Sequence, residues 1–196
     1  MIGVFYIHGF ASGINYAKLD SLSKTINDDH CSVIGLHYNS DWNFDQIKNS
    51  LINQVNTYID EFEELVFIGT SLGGLFAREL ANHFNSPMIV INPVTDPVNQ
   101  LSQFVGTVVN YSTHKMFTFT NQNVQSYNDY TLQRKGPCLT YVSTIDQVLV
   151  DNAKYIKNHK SEFGKIIETT TTHQVDFSEL HNFKNEFDKL VNTLAG

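Results

Sequence analysis

The stretch Leu65-Val66-Phe67-Ile68-Gly69-Thr70-Ser71-Leu72-Gly73 decides how the rest of the chain is read. Its four leading apolar residues form a short run of the kind that a strand buried on both faces requires. Gly-x-Ser-x-Gly follows at once, and a helical pattern continues from Leu72 to about Phe84, where Asn85-Ser86-Pro87 stops it. A strand that ends in this pattern and turns directly into a helix is a nucleophile elbow. The turn is tight enough that strand and helix nearly touch two residues to either side of the serine, so both positions must be small. Ser71 is thereby forced into a strained backbone conformation, with its hydroxyl above the sheet edge.

Outward from the elbow, apolar β-rich runs alternate with helical patterns. Strands are predicted over 2–7, 31–37, 65–69, 88–92, 138–143 and 165–170. From Phe44, apolar residues recur at Ile47, Leu51, Val55, Tyr58 and Phe62, the three-and-four spacing of an amphipathic helix. Asn43 and Gln46 resemble a capping box at its start. Asp151 is placed to cap a helix over 151–160. A last helix is read from Leu180, Phe183, Phe187, Leu190 and Leu194, with Ser178 as its N-cap. Alternating β and α predicts an α/β fold: a three-layer αβα arrangement around a mostly parallel sheet of about six strands, in the order 2-1-3-4-5-6. The chain reads as one domain over 1–196 without an N-terminal hairpin. Residues 97–133 interrupt the pattern, being rich in Asn, Gln, Thr, Tyr and Phe, and are expected to form either a lid or cap insertion or a few short helices.

Composition narrows the function classes. With 41% apolar and 17% charged residues, the 196-residue chain can bury a full core. The net charge of -7 argues against nucleic acid or an anionic membrane surface as the main partner. Met1 leads straight into Ile2-Gly3-Val4-Phe5, with no basic leader and no spanning apolar segment, so a cytoplasmic protein is expected. Cys31 and Cys138 read as two buried apolar thiols. His30, His37, His83 and His114 are scattered without metal-ligand spacing, and no Gly-x-Gly-x-x-Gly follows the first strand, so neither a metal nor a dinucleotide cofactor is expected.

A serine hydroxyl needs a base to take its proton and an acid to orient that base. After an elbow the chain order is Ser, then Asp or Glu, then His, each from a loop following a strand. Asp146 is the first carboxylate past strand 138–143, with Asp151 and Asp96 as alternatives. His173 is the first histidine past strand 165–170. His181 is read as a solvent-facing residue of the final helix, and His159 precedes the strand. The negative charge that develops on a carbonyl oxygen requires preorganised donors. The Leu72 N–H, at a helix N-terminus, is one. The Phe10 N–H, in His8-Gly9-Phe10 after the first strand, is the second. His8 and Gly9 are expected to shape that loop and border the substrate.

On Tyr6-Ile7-His8-Gly9-Phe10, Gly69-Thr70-Ser71-Leu72-Gly73-Gly74, Asn92-Pro93, Asp146-Gln147-Val148-Leu149 and His173, the chain resembles the α/β-hydrolase superfamily, and within it the small YqiA-like bacterial esterases. The resemblance implies cleavage of carboxyl esters or thioesters by a Ser71-His173-Asp146 triad through an acyl-enzyme, without metal or cofactor, with Phe10 and Leu72 as oxyanion donors. Such a family usually carries Gly-Asp-Glu where this chain has Ile145-Asp146-Gln147, and Gly-Asn-His where it has Thr171-Thr172-His173. The expected partner is a small acyl ester or thioester, and the expected class is a serine esterase or thioesterase. A hydrolase fold that binds ligand without turnover, and an acyltransferase, are the alternatives. The aromatics Phe104, Tyr111, Phe117, Phe119, Tyr127 and Tyr130 suggest either a partly apolar acyl pocket or the core of a small cap.

Overall fold

The computed structural model describes residues 1–193. In chain order its elements are β1 (Ile2–Ile7), α1 (Tyr16–Ile26), β2 (Cys31–Leu36), α2 (Phe44–Asn56), β3 (Glu64–Thr70), α3 (Leu72–Phe84), β4 (Met88–Ile91), α4 (Pro97–Ser102), β5 (Gly106–Val109), β6 (Met116–Phe119), α5 (Asn121–Gln125), β7 (Cys138–Ser143), α6 (Asn152–Asn158), α7 (Lys160–Phe163), β8 (Lys165–Thr169) and α8 (Phe183–Asn192), with short 3₁₀ turns at Ile59–Glu61 and Phe177–Glu179. Six strands form one sheet in the order β2-β1-β3-β4-β7-β8, and all of its pairings are parallel. This is the predicted order, renumbered because β5 and β6 form a separate antiparallel hairpin.

Side chains alternate across each strand, so one strand feeds two cores. Phe5, Ile7 and Phe67 pack on one face with residues of α2 and α3, whereas Val4, Tyr6, Val66 and Ile68 pack on the other with residues of α1 and α8. That two-sided demand is why the central strands read as unbroken apolar runs.

Several element ends differ from the sequence reading. Helix α2 stops at Asn56, and Tyr58 and Phe62 lie in the turn beyond it, packed on Phe5. The expected capping box is present, with the Asn43 N–H donating to Gln46 Oε1 at 2.9 Å. The 151–160 helix breaks at His159 into α6 and α7, and Asp151 takes the N-cap position at φ 63° without capping through its side chain. In the last segment Asp176 caps the 3₁₀ turn and Asn182, not Ser178, precedes α8; Leu180 lies before the helix, and Leu194 lies outside the described residues. His181 is exposed, but in the turn before α8 rather than on it. Cys138 is buried as expected, whereas Cys31 is only half-buried because it opens the edge strand β2. No helix of the described residues is long and apolar enough to cross a membrane.

Residues 97–133 hold α4, the β5–β6 hairpin and α5. Local polar capping organises this segment, which explains its weak hydrophobic period. Asp96 caps α4 by accepting from the Asn99 N–H at 3.3 Å, and Thr120 Oγ1 accepts from the Asn123 N–H at 3.2 Å. Asn123 then donates to the Asp41 carbonyl at 2.7 Å. Phe119, Val124 and Tyr127 are buried in the main core, while Val109 and Met116 of the hairpin are exposed.

Candidate active site

Ser71 sits between β3 and α3 at φ 55° and ψ -122°, a conformation that L side chains rarely adopt and that costs on the order of 1–3 kcal/mol. The glycines around it answer a contact demand. A Cβ on Gly69 would stand 2.0 Å from the Gly73 carbonyl oxygen, and a Cβ on Gly73 would stand 2.2 Å from that of Ile7. The serine is also pinned by its backbone, because its N–H donates to Ile91 O at 2.9 Å and its carbonyl accepts from the Val94 N–H at 3.0 Å.

Three loops deliver the sequence-predicted residues to one point. His173 Nε2 lies 3.0 Å from Ser71 Oγ, and His173 Nδ1 lies 2.6 Å from Asp146 Oδ2. The side chains of His173 and Asp146 are 13% and 3% exposed, so the contact is largely shielded from water. Burial alone would raise the Asp146 carboxyl, but the hydrogen bond from His173 and those from the Leu149 and Val148 N–H groups outweigh it and hold the acid below its usual value of 3.8. The alternatives are placed elsewhere. Asp96 is the α4 cap, and Asp151 starts α6 with an exposed side chain. Neither Ile145, Thr171 nor Thr172 adopts a positive φ, so both loops close without the glycines that the resemblance leads one to expect.

The loop after β1 lies directly over the serine: a Cβ on Gly9 would come within 3.3 Å of Ser71 Cβ. As the first residue of α3, Leu72 has an N–H without an intrahelical acceptor. Among the described residues neither it nor the Phe10 N–H is used in a turn or loop hydrogen bond. His8 is buried and stacks on Tyr38 with ring centroids 4.4 Å apart. Its Nδ1 lies 2.9 Å from the Gly9 carbonyl and its Nε2 3.4 Å from the Tyr38 backbone N, a pattern that suits neutral imidazole protonated at Nδ1. Burial, reinforced by His37 and partly opposed by the Gly9 contact, lowers its pKa to about 4.

The sequence reading gave Asn92 no role. Its side chain, 1% exposed, accepts from the Ser143 N–H at 2.7 Å and donates to the His173 carbonyl at 3.2 Å. One amide therefore fastens the strand that leads to Asp146 to the loop that carries His173. Asn92 achieves this at φ 44°, which asparagine tolerates better than most residues. An Asn immediately before Pro93 at a strand end was the available signal.

Two cavities open on Ser71 and share Phe10, Tyr111, His173 and Gln174. One, about 170 Å³, is walled by Val94, Leu101, Phe104, Val108, Val148 and Leu149. The other, about 270 Å³, is bordered by His8, Gly9, Asn15, Lys18 and Thr70. Among the described residues no three His, Cys, Asp or Glu side chains group as metal ligands would.

The family model described as Uncharacterised protein family (UPF0227) matches residues 3–194. The chain belongs to this family. Among solved structures, this UPF0227 chain is similar to mouse alpha/beta hydrolase domain-containing protein 10, at 14% identity and TM-score 0.69, covering 98% of this chain and 90% of that one. It is also similar to Est1E from Butyrivibrio proteoclasticus, at 12% identity and TM-score 0.67, covering 98% and 86%. The metagenome-derived lipolytic enzymes LipS and LipT give a third likeness, at 14% identity and TM-score 0.66, covering 99% and 92%. The fold of this UPF0227 protein is the α/β-hydrolase fold.

Proposed function

We propose that this protein is a serine hydrolase of carboxyl esters or thioesters, with Ser71 as nucleophile, His173 as base and Asp146 as its orienting acid. The observation that carries the reading is the continuous chain from Ser71 Oγ to His173 Nε2 at 3.0 Å and from His173 Nδ1 to Asp146 Oδ2 at 2.6 Å. Ser71 Oγ attacks the acyl carbon as its proton passes to His173 Nε2. The oxyanion forms between the Phe10 and Leu72 N–H groups. As the intermediate collapses, the alcohol or thiol leaves with the proton from His173, and an acyl-serine remains. Water then attacks that ester, giving its proton to His173, and Ser71 takes the proton back as the acid departs. Residues 97–133 belong to the same domain in this reading and form a wall of the substrate site. The hydrolase-fold neighbours support it, since Est1E has been solved with ferulic acid bound.

Labelling with a fluorophosphonate tests the proposal. Wild type is expected to label, and Ser71→Ala and His173→Ala are expected not to label while keeping the wild-type unfolding temperature. Labelling that persists in Ser71→Ala would sink the assignment. A folded wild type that does not label and holds a ligand unchanged would favour a binding protein.

A further inference from the structure

The two cavities at Ser71 have opposite chemistry, and their contrast constrains the substrate. The smaller, about 170 Å³, is lined mainly by aliphatic and aromatic side chains, with Gln100 and Gln174 as polar members. In the larger, polar side chains predominate, and among the described residues Lys18 is the one lysine or arginine that lines it. Lys18 lies on α1, half-buried, and among the described residues its Nζ makes neither a hydrogen bond nor an ion pair. Burial pulls its pKa down, whereas nearby Asp176 and Glu179 favour the charged form. Neither carboxylate comes within ion-pair distance of the ammonium; Asp176 Oδ1 accepts from Ser21 Oγ at 2.5 Å and from the Ser178 N–H at 2.9 Å. A half-buried lysine that lines the cavity of the nucleophile and makes no ion pair of its own is a recognition group for an anion.

Resting on the hydrolase reading, we infer that the substrate is an ester with two unlike arms: an apolar arm in the Val94–Phe104–Val108 cavity and an arm bearing a carboxylate or phosphate in the Lys18 cavity. Such a molecule fills both cavities across the scissile bond. A neutral ester leaves the Lys18 ammonium unpaired.

The test compares kcat/KM for four butyl-length probes at low and high salt. Methoxyethyl butyrate is neutral. The butyrate ester of glycolate and that of 2-hydroxyethyl phosphate place the anion on the alcohol arm, and monobutyl succinate places it on the acyl arm. At least one anionic probe is expected to exceed the neutral one by about tenfold, the scale of a charge-assisted hydrogen bond. The preferred probe identifies the arm and the anion. Lys18→Gln and added salt are expected to bring the ratio toward one, and Lys18→Arg to retain most of it. No anionic preference in wild type, or a preference that Lys18→Gln leaves intact, overturns the inference while neutral turnover still upholds the hydrolase. If wild type labels with the fluorophosphonate yet hydrolyses none of the probes, the inference is overturned and the hydrolase reading stands; if it neither labels nor hydrolyses them, the hydrolase reading fails, and calorimetric binding of the intact anionic and neutral esters to wild type and Lys18→Gln reads the same preference directly. Equal binding of both esters then overturns the inference as well.

Discussion

The Tyr111 N–H donates to the Ala11 carbonyl at 2.8 Å, tying the tip of the β5–β6 hairpin to the residue that follows Phe10. Asn110 Nδ2 adds a bond to the Ser12 carbonyl at 3.0 Å. The Phe10 ring itself lies 5.1 Å from Phe104, 5.9 Å from Phe117 and 4.9 Å from Phe119. The hairpin thus holds the loop whose N–H is proposed to meet the oxyanion.

Phe117→Ala tests that coupling without touching either cavity. An aromatic pair contributes about 1 kcal/mol beyond its buried area. The variant is expected to label with fluorophosphonate roughly fivefold more slowly, the rate equivalent of that energy, with KM for a neutral ester little changed. Stopped labelling time courses measure it; an unchanged rate would separate the hairpin from the oxyanion loop.

Asn92→Ala removes an amide that holds both the acid and the base loops and leaves the Ser143 N–H buried without its acceptor. A loss of about 1–3 kcal/mol in stability is expected from the orphaned group. Because His173 loses its backbone anchor, kcat is expected to fall more than KM rises, and Asn92→Asp, which keeps the acceptor alone, to restore stability better than kcat. Denaturant unfolding alongside steady-state kinetics checks the split.

Gly73→Ala forces a Cβ to 2.2 Å from the Ile7 carbonyl oxygen and 2.4 Å from that of His8, and neither backbone can yield without moving the central sheet. A destabilisation of about 3 kcal/mol or more is expected. Gly9→Ala meets nothing closer than the Ser71 Cβ at 3.3 Å and the Thr70 carbonyl oxygen at 3.4 Å, so it is expected to fold normally and to lose turnover instead. Equal unfolding midpoints for the two variants would contradict the elbow geometry.

His8 gives the fold a pH dependence of definite sign. Its folded pKa of about 4 lies below the usual 6.5, so the unfolded chain binds the proton more readily. The stability linked to neutral His8 is full above about pH 6.5 and is lost as pH falls from 6.5 toward 4. Between pH 7.5 and pH 5 the wild type is expected to lose about 2 kcal/mol through this group. His8→Asn is expected to flatten that part of the curve, measured by guanidinium unfolding at both pH values. A wild-type curve no steeper than the variant's would remove His8 as its source.

The sequence by itself determined the strand order, the elbow and the choice of Asp146 and His173 as the residues that line up with Ser71. Each rests on local physics: two-sided burial makes β1, β3 and β4 continuous apolar runs, steric contact at the elbow admits only Gly69 and Gly73, and strand ends present their first carboxylate and histidine to the same sheet edge. Tertiary structure decided the rest. Helix α2 ends at Asn56, beyond which Tyr58 and Phe62 pack on Phe5, and α6 ends at Asn158, ahead of the buried Phe163. The role of Asn92 required knowing that Ser143 and His173, 51 and 81 residues away, lie within reach of one amide. The placement of 97–133 was settled by Asn123 bonding to Asp41 and by Phe119 entering the main core, contacts that a hydrophobic period does not record. The two unlike cavities arise only where the loop after β1, the hairpin and the His173 loop converge, because a pocket belongs to the surfaces that enclose it and not to any one segment.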